Sequence, residues 1–247
     1  MLKGKYINYI HFASLDSTNT WTKNNAHMLD PQYITCITAQ EQTAGRGRFF
    51  RKWLSPKGYN IYATLYFQIP RTAAFLSNLG QVMCLACCAI LQNQGFSTLI
   101  KWPNDILLSG KKVGGILCET ISFGESIGVV LGFGINVNMP NDLLNLIDQP
   151  ATSLLEQSGK EWTINTLLEA IAYEFSQYLE LLEKHGFIYF HQMYDTLLAY
   201  KGELMEWTDG IRKITGVCQS IASDGKLTLI LSSGEMLSVS TGEIVFR

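Results

Sequence analysis

One segment of the sequence, residues 42–53, concentrates positive charge and glycine. It reads QTAGRGRFFRKW and carries Arg46, Arg48, Arg51 and Lys52 without an acidic residue. Guanidinium groups donate hydrogen bonds in a fixed fork that matches phosphate and carboxylate oxygens, and glycines expose backbone N–H groups to an anion. The segment therefore predicts an anion-binding loop, with an ordinary solvated basic loop as the alternative interpretation.

This loop does not match the common phosphate-binding motifs. Each of the four Gly-Lys pairs in the chain lacks a following Ser or Thr, and the sequence contains no GxGxxG. A Gly-Lys-Ser or Gly-Lys-Thr sequence is needed for a P-loop, and GxGxxG is needed for a dinucleotide fingerprint. If this protein binds a nucleotide, it uses a fold other than the P-loop or the dinucleotide-binding fold.

A second polar cluster, residues 101–119, reads KWPNDILLSGKKVGGILCE and is predicted to form a β-hairpin. The paired glycines 114 and 115 would let a ligand lie close to the strand backbone. Strict strand alternation separates Lys112 and Gly114 from Lys111 and Gly115, so the pattern alone leaves open which lysine faces a ligand. An ordinary polar hairpin is the alternative.

Two shorter motifs flank these clusters. Residues 16–19 read DSTN and precede a predicted helix, where they would serve at least as its N-terminal cap. Residues 132–138 read GFGINVN, which is typical of a strand end against which another group packs closely.

The elements that must position these motifs alternate between strands and helices. Apolar periodicity and turn residues predict an α+β fold with a mixed, mostly antiparallel sheet flanked by helices. Strands are predicted at 6–12, 33–40, 60–67, 98–102, 105–108, 112–119 and 126–137, and helices at 19–28, 79–94, 164–185 and 187–199.

Beyond residue 200 the pattern becomes wholly β-like. Asp224-Gly225 predicts a type I′ hairpin, and Ser233-Gly234 marks another turn. We expect a catalytic domain at residues 1–200 and a small β domain at 201–247 that packs on the larger one, because about 45 residues form little core of their own.

Composition limits the classes of function. The 247 residues carry a net charge of -2, so no global basic field favours nucleic acid or a membrane surface. The longest apolar run, residues 82–91, is shorter than the ~20 residues of a membrane span, and the N-terminus lacks a signal-peptide core. The six cysteines lie mostly in apolar segments and the histidines are scattered, which predicts a reduced, cytoplasmic protein without a metal site.

The four motifs, taken in their order along the chain as residues 16–19, 42–53, 101–119 and 132–138, resemble the biotin protein ligase family. The resemblance implies a class II synthetase-like catalytic domain followed by an SH3-like C-terminal module. Some members of that family carry a DNA-binding domain before the Ser-Thr-Asn motif. Here the motif begins at Ser17, so we expect no such domain and no repressor activity.

The resemblance also implies roles for individual residues. The implied biotin contacts are Ser17, Thr18, Asn19, Gln42, Arg46, Gly47, Arg48, Lys112, Gly114 and Gly115. The implied ATP and adenylate contacts are Gly45, Arg46, Arg48, Arg51, Trp53, Asn104, Asp105, Lys112 and Asn136. Catalysis would fall to Lys112, Arg46 and Arg48, and the match to the family selects Lys112 over Lys111. The sequence departs from the family pattern at Phe50, where glycine is common.

The implied function is ATP-dependent protein biotinylation. Biotin would be activated with Mg²⁺ and ATP as biotinyl-5′-AMP and transferred to a lysine of a biotin carboxyl carrier protein, such as that of acetyl-CoA carboxylase. Family members can also form homodimers through an exposed edge of the catalytic sheet. The alternatives are a lipoate or octanoate ligase or transferase of the same superfamily, and a non-enzymatic biotin or nucleotide sensor. A sensor would be expected to lack Lys112 or the loop arginines, and this chain has both.

Overall fold

The computed structural model describes residues 6–245, except for the side chain of Phe50. Its first sheet has the strand order β1-β2-β3-β7-β6-β5-β4, in which only β1 and β2 run parallel. The strands are β1 (Ile7–Phe12), β2 (Ile34–Ala39), β3 (Ile61–Pro70), β4 (Thr98–Lys101), β5 (Asp105–Leu108), β6 (Lys111–Phe123) and β7 (Ser126–Ile135). The predicted mixed, mostly antiparallel sheet is confirmed.

Helices cover both faces of this sheet. The long helices α2 (Leu79–Asn93) and α5 (Ile164–His185) pack against one face and bury the main apolar core. The short helix α1 (Thr18–Asn25) crosses the other face over β3 and β7. Side chains alternate along the central strand accordingly: Leu65 faces the long helices, whereas Tyr66 belongs to the small cluster beneath α1. The face that carries α1 is therefore left partly open.

The remaining helices are short. They are α3 (Asn141–Leu144), α4 (Leu154–Ser158) and α6 (His191–Leu197). Two helices that the sequence predicted as continuous are interrupted by single 3₁₀ turns: α1 ends at Asn25 before the turn Ala26–Met28, and α6 begins only after the turn Phe187–Tyr189. Gly186 ends α5 with a φ of 70°, as its position in the sequence predicted.

The apolar helix α2 also bears on the membrane question. The segment Leu76–Asn93 has the length and composition of a membrane span. However, 61% of it is buried inside the fold, where it packs against β6 and α5. Its hydrophobicity is thus accounted for by the core.

A second, wholly antiparallel sheet follows, with the strand order β11-β10-β9-β8-β12. Its strands are β8 (Leu204–Thr208), β9 (Lys213–Ile221), β10 (Leu227–Ile230), β11 (Met236–Val239) and β12 (Glu243–Val245). This is the small all-β unit that the sequence predicted. The boundary at residue 200 stays a prediction, and residues 1–5 and 246–247 of the two predicted domains lie outside the described residues.

The turn between β9 and β10 differs from the sequence prediction. A type I′ turn requires positive φ at both central residues, and only Gly225 has it, at 88°. The amide of Ala222 donates to Lys226 O and the amide of Gly225 to Ala222 O. The loop is therefore a type I turn followed by a left-handed glycine, the usual three-residue hairpin.

This hairpin tip fastens the second unit to the first. Asn78 Nδ2 donates to Asp224 O at 2.9 Å, Gln81 Nε2 to Gly225 O at 2.7 Å and Trp102 Nε1 to Gly225 O at 3.1 Å. A Cβ at position 225 would lie 2.4 Å from both the Asn78 and the Gln81 amide groups, so only glycine fits. The C-terminal unit is docked by buried hydrogen bonds, in keeping with its small size.

Candidate functional site

A cleft with an empty volume of about 750 Å³ opens on the α1 face of the first sheet. It extends from the start of α1, across β7 and β6, to the C-terminal unit. The predicted site residues that line it are Ser17, Thr18, Asn19, Gln42, Arg46, Gly47, Arg48, Arg51, Trp53, Asn104, Asp105, Lys112 and Gly115. Residues from all four motifs thus meet in one place, and the last motif contributes Gly132, Phe133 and Gly134.

One end of the cleft is polar and uncharged. The Thr18 amide donates to Gln42 Oε1 at 2.9 Å, and Gln42 Nε2 donates to Ser55 Oγ at 3.0 Å. Ser17 is the N-cap of α1, where its Oγ accepts from the Thr20 amide. These bonds fix the amide group of Gln42 beside the first turn of the helix. This end suits a ligand group that both donates and accepts hydrogen bonds.

Asn19 forms the floor of this polar end. Its Oδ1 lies 2.6 Å from Thr64 Oγ1, and its Nδ2 donates to Glu119 Oε2 at 2.9 Å and to Leu117 O at 3.2 Å. A Cβ at Gly132 would lie 2.2 Å from Asn19 Oδ1. The glycine of the GFGINVN motif is therefore required because the Asn19 amide lies directly on the β7 backbone.

Glu119 supports the site through its contacts with Asn19 and Arg46, and the sequence reasoning did not single it out. It lies 2.7 Å from Lys23 Nζ and 3.7 Å from Arg46. Burial acts to raise the pKa of Glu119, but hydrogen bonds from Lys23 and Asn19, with the charges of Lys23 and Arg46, outweigh it and hold that pKa below its ordinary value. Alternation along β6 from Gly115 would have placed residue 119 on the cleft face.

The arginine loop is a tight hairpin over the middle of the cleft. Arg46 and Lys52 pair as an isolated antiparallel bridge, and the Trp53 amide donates to Gly45 O at 2.9 Å. A Cβ on Gly45 would lie 2.6 Å from Trp53 O, so this glycine serves the close approach of the two loop arms. At the loop tip Phe49 has a φ of 52°, in the left-handed region that non-glycine residues seldom adopt.

Two loop arginines reach toward the C-terminal unit. Arg48 Nη1 donates to Asn104 Oδ1 at 3.2 Å and to Gly242 O at 3.0 Å. Arg51 Nη2 lies 2.6 Å from Glu243 Oε2. Burial lowers the pKa of Arg48, while the charge of Glu243 acts in the opposite direction. Arginine still stays protonated in proteins, so Arg48 is a partly buried cation.

A β-bulge decides which lysine faces the cleft. Ile106 and Leu107 are neighbours on β5, but they pair with Gly114 and Lys112 on β6, so β6 holds one extra residue there. Consequently Lys112 shares a face with Gly115, whose Cβ would lie 3.4 Å from Lys112 Nζ. The strict alternation expected from the sequence, which grouped Lys112 with Gly114, is wrong because it took no account of the bulge.

The two lysines have different surroundings. Lys112 Nζ lies 2.7 Å from Asp105 Oδ1 and 5.5 Å from the centroid of the Trp53 ring, inside the cleft. Lys111 pairs instead with Glu156 at 2.9 Å, and its side chain is about half exposed. The backbone of Lys112 is fixed on both sides, since its amide donates to Pro150 O and its carbonyl accepts from the Thr152 amide.

Three predicted residues lie outside the first cleft. Gly45 is in the first arm of the arginine loop. Gly114 faces the core, where an added Cβ would lie 2.5 Å from Ile135 Cδ1. Asn136 lines an adjoining cavity of about 770 Å³ and donates through Nδ2 to Thr152 O. Trp53 lines both cavities, and its buried Nε1 has no hydrogen-bond partner among the described residues.

The arrangement combines a neutral polar end with a cationic middle and a second cavity beyond it. Such a site suits one molecule with a polar head and an anionic end, held beside a second anionic molecule. Among residues 6–245, no group of three or more His, Cys, Asp or Glu side chains is placed to hold a metal ion.

Known proteins are similar to this chain in sequence and in structure. The model of the biotin/lipoate A/B protein ligase family matches residues 11–136. The chain is 30% identical over 235 residues to the bifunctional ligase/repressor BirA of Escherichia coli, covering 94% of this chain and 72% of that protein. The chain belongs to the biotin/lipoate A/B protein ligase family.

Two further members of the biotin/lipoate A/B protein ligase family match almost end to end. The biotin--[acetyl-CoA-carboxylase] ligase of Paracoccus denitrificans is 29% identical over 241 residues, which cover 95% of this chain and 98% of that protein. The biotin protein ligase of Aquifex aeolicus, solved in complex with biotin and ATP, is 29% identical with a TM-score of 0.81, and the match covers 97% of this chain and 98% of that chain. The predicted family and fold class are confirmed.

Proposed function

We propose that this protein is an ATP-dependent biotin ligase. It activates biotin as biotinyl-5′-AMP and transfers the biotinyl group to the ε-amine of a lysine on a carrier domain of acetyl-CoA carboxylase or a related carboxylase. The observation that carries the proposal is the single cleft that joins the neutral polar end at Asn19 to the cations Arg48 and Lys112. The full-length matches to biotin ligases from Paracoccus and Aquifex support it.

The neutral end of the cleft takes the ureido ring of biotin. That ring has two N–H donors and one carbonyl acceptor, and it meets the polar groups of Ser17, Thr18, Asn19 and Gln42. A lipoyl dithiolane has no N–H donor and no carbonyl acceptor, so it cannot form these hydrogen bonds. A hydrogen bond contributes about 0.5 to 1.5 kcal/mol, so the loss of several of them favours biotin over lipoate.

The cationic middle brings two anions together for adenylation. A carboxylate oxygen of biotin attacks the α-phosphorus of ATP, the bond to the β-phosphate oxygen breaks and pyrophosphate leaves. Arg46, Arg48 and Lys112 offset the repulsion between the two anions and stabilise charge on the α-phosphoryl group. Mg²⁺ enters as part of the nucleotide substrate. Trp53 and Asn136 bind the nucleotide toward the second cavity, and Arg51 contacts it from the first cleft.

The second step transfers the acyl group. The carrier lysine amine attacks the acyl carbon of biotinyl-AMP, AMP leaves and the nitrogen loses a proton. Asp105, whose Oδ1 lies 2.7 Å from Lys112 Nζ, is a candidate to accept that proton. The alternative is that the amine loses its proton because it is desolvated in the cleft. Asp105→Asn distinguishes them, since only the first route predicts that transfer slows more than adenylation.

The test incubates the protein with biotin, Mg-ATP and a biotin carboxyl carrier domain, with lipoate in a parallel reaction, and reads the mass of the carrier. We expect transfer of biotin and little transfer of lipoate. Transfer of lipoate at the same rate would support the lipoate ligase alternative. Failure to modify the carrier with either acid would overturn the proposal. Cytoplasmic location, lack of nucleic-acid binding and a homodimer through a sheet edge stay predictions from the sequence.

A further inference from the structure

The side chain of Asn19, at the polar end of the cleft, is buried and held from both ends of its amide group. Its Nδ2 donates to Leu117 O at 3.2 Å and to Glu119 Oε2 at 2.9 Å, and its Oδ1 lies 2.6 Å from Thr64 Oγ1. A backbone carbonyl and a carboxylate can only accept hydrogen bonds, so the amide nitrogen must face them. These contacts fix the orientation of the amide.

This orientation decides what Asn19 can offer to a ligand. Both hydrogens of Nδ2 are used by the two protein acceptors, whereas Oδ1 accepts one hydrogen bond from Thr64 and keeps a second lone pair. A ligand in the cleft therefore meets Asn19 as an acceptor and not as a donor. The reversed amide would present an N–H group at the same place.

The orientation of Asn19 extends to Thr18 through the buried hydroxyl of Thr64. Thr64 has one hydroxyl hydrogen, which goes to Asn19 Oδ1 because an amide oxygen cannot donate. Thr18 Oγ1 lies 2.8 Å from Thr64 Oγ1 and 3.3 Å from Gln42 Oε1, so the Thr18 hydrogen is used by these protein acceptors. Thr18 then presents lone pairs to the cleft, and the polar end carries two acceptors, Asn19 Oδ1 and Thr18 Oγ1.

The carboxylate of Glu119 accepts from several donors at once. Its Oε1 lies 2.7 Å from Lys23 Nζ, and its Oε2 lies 2.9 Å from Asn19 Nδ2 and 3.7 Å from Arg46 Nη2. One oxygen thus serves the lysine while the other serves the amide. A glutamine has a single acceptor oxygen, for which the ammonium group competes, and its own NH₂ group would then face the NH₂ group of Asn19. The cluster therefore requires a carboxylate rather than an amide at position 119.

We infer that Glu119 is a positioning residue for ligand recognition, which fixes the Asn19 amide and, through Thr64, the Thr18 hydroxyl, so that the polar end presents two acceptors. Such an end selects a ligand with a pair of N–H donors and disfavours one that offers acceptors alone. The identity of the ligand rests on the proposed function, under which the matching groups are the two N–H groups of the ureido ring. Glu119 acts from behind Asn19 and does not itself contact the ligand.

The first test is NMR of the side-chain amides in the free protein, compared between wild type, Glu119→Gln, Lys23→Met and the double variant. We expect the Asn19 Nδ2 protons to shift and to exchange faster with water in Glu119→Gln. They should recover in the double variant, because removal of the lysine frees the glutamine oxygen for Asn19. Lys23→Met alone is the matched control, since it removes the same ion pair and leaves the carboxylate on Asn19. Unchanged Asn19 resonances in Glu119→Gln, or no recovery in the double variant, would overturn the inference.

The second test measures the binding of biotin, desthiobiotin and Mg-ATP by calorimetry. Loss of the charged hydrogen-bond acceptor predicts that Glu119→Gln raises the Kd for biotin about 10-fold, with most of the affinity restored in the double variant. Desthiobiotin keeps both ureido N–H groups and should lose the same factor. The Kd for Mg-ATP should stay nearly unchanged, since Arg46 is also held by Thr20 Oγ1 at 3.1 Å. An equal loss for Mg-ATP would contradict a role at the polar end. A wild-type protein that binds no biotin refutes the proposed function alone, because the NMR experiment needs no ligand.

Discussion

Replacing Lys112 by alanine should slow adenylate formation by ~100- to 1000-fold, the typical effect of removing one preorganised contact to a charge that develops in the transition state. The Lys112 side chain is only 17% exposed, so solvent screens its charge weakly. Lys111 is the matched control on the adjacent position. It is 45% exposed and its partner Glu156 lies outside the first cleft, so Lys111→Ala should cost at most ~1 kcal/mol of stability and little activity.

The assay is exchange of pyrophosphate into ATP at saturating biotin and nucleotide, which reports adenylation without the carrier. Lys112→Ala also leaves Asp105 without its partner at 2.7 Å, so the free energy of unfolding must be measured for each variant in parallel. Lys112→Met, which keeps most of the side-chain volume, separates loss of charge from loss of packing. Equal losses of exchange in Lys111→Ala and Lys112→Ala, with both variants folded, would refute the assignment of Lys112 to the cleft.

Three further perturbations test other parts of the site. Gly132→Ala should reduce biotin affinity at least ~10-fold while sparing Mg-ATP binding, because the new Cβ would lie 2.2 Å from Asn19 Oδ1; calorimetry with each ligand checks this, and unchanged biotin binding would contradict it. Gln42→Ala should lose more activity toward biotin than toward lipoate, read from carrier masses, and equal losses would mean that Gln42 does not recognise the ureido ring. Glu119→Gln should be less stable than wild type at neutral pH. Because the folded-state pKa of Glu119 is held below 4.5, this difference should persist above that pH and disappear as the pH falls below it; urea titrations across acidic pH would show a constant difference if the reasoning is wrong.

The sequence predicted the strands and the long helices because their signals are local. The apolar stripe of α5 and its end at Gly186 follow from spacing within a few turns. The polar motifs also met in one cleft, as their order along the chain implied through the family resemblance.

Other features depend on partners that lie far away in the sequence. The bulge in β6 exists because β5 offers one residue fewer, and no pattern within β6 alone records that. Arg51 and Glu243 are separated by 192 residues, so charge spacing within the loop could not reveal their contact. The Asp224-Gly225 turn was assigned to the wrong type because the dipeptide fits either a two-residue or a three-residue hairpin, and strand register decides between them.

The bulge in β6 also bears on how the site tolerates changes in chain length. A single extra residue in β5 opposite Val113 would remove the bulge and restore regular alternation along the hairpin. Regular alternation turns Lys112 toward the core and Lys111 toward the cleft. The two adjacent lysines therefore face opposite sides of the hairpin in either arrangement, and the number of residues in β5 decides which of them faces the cleft.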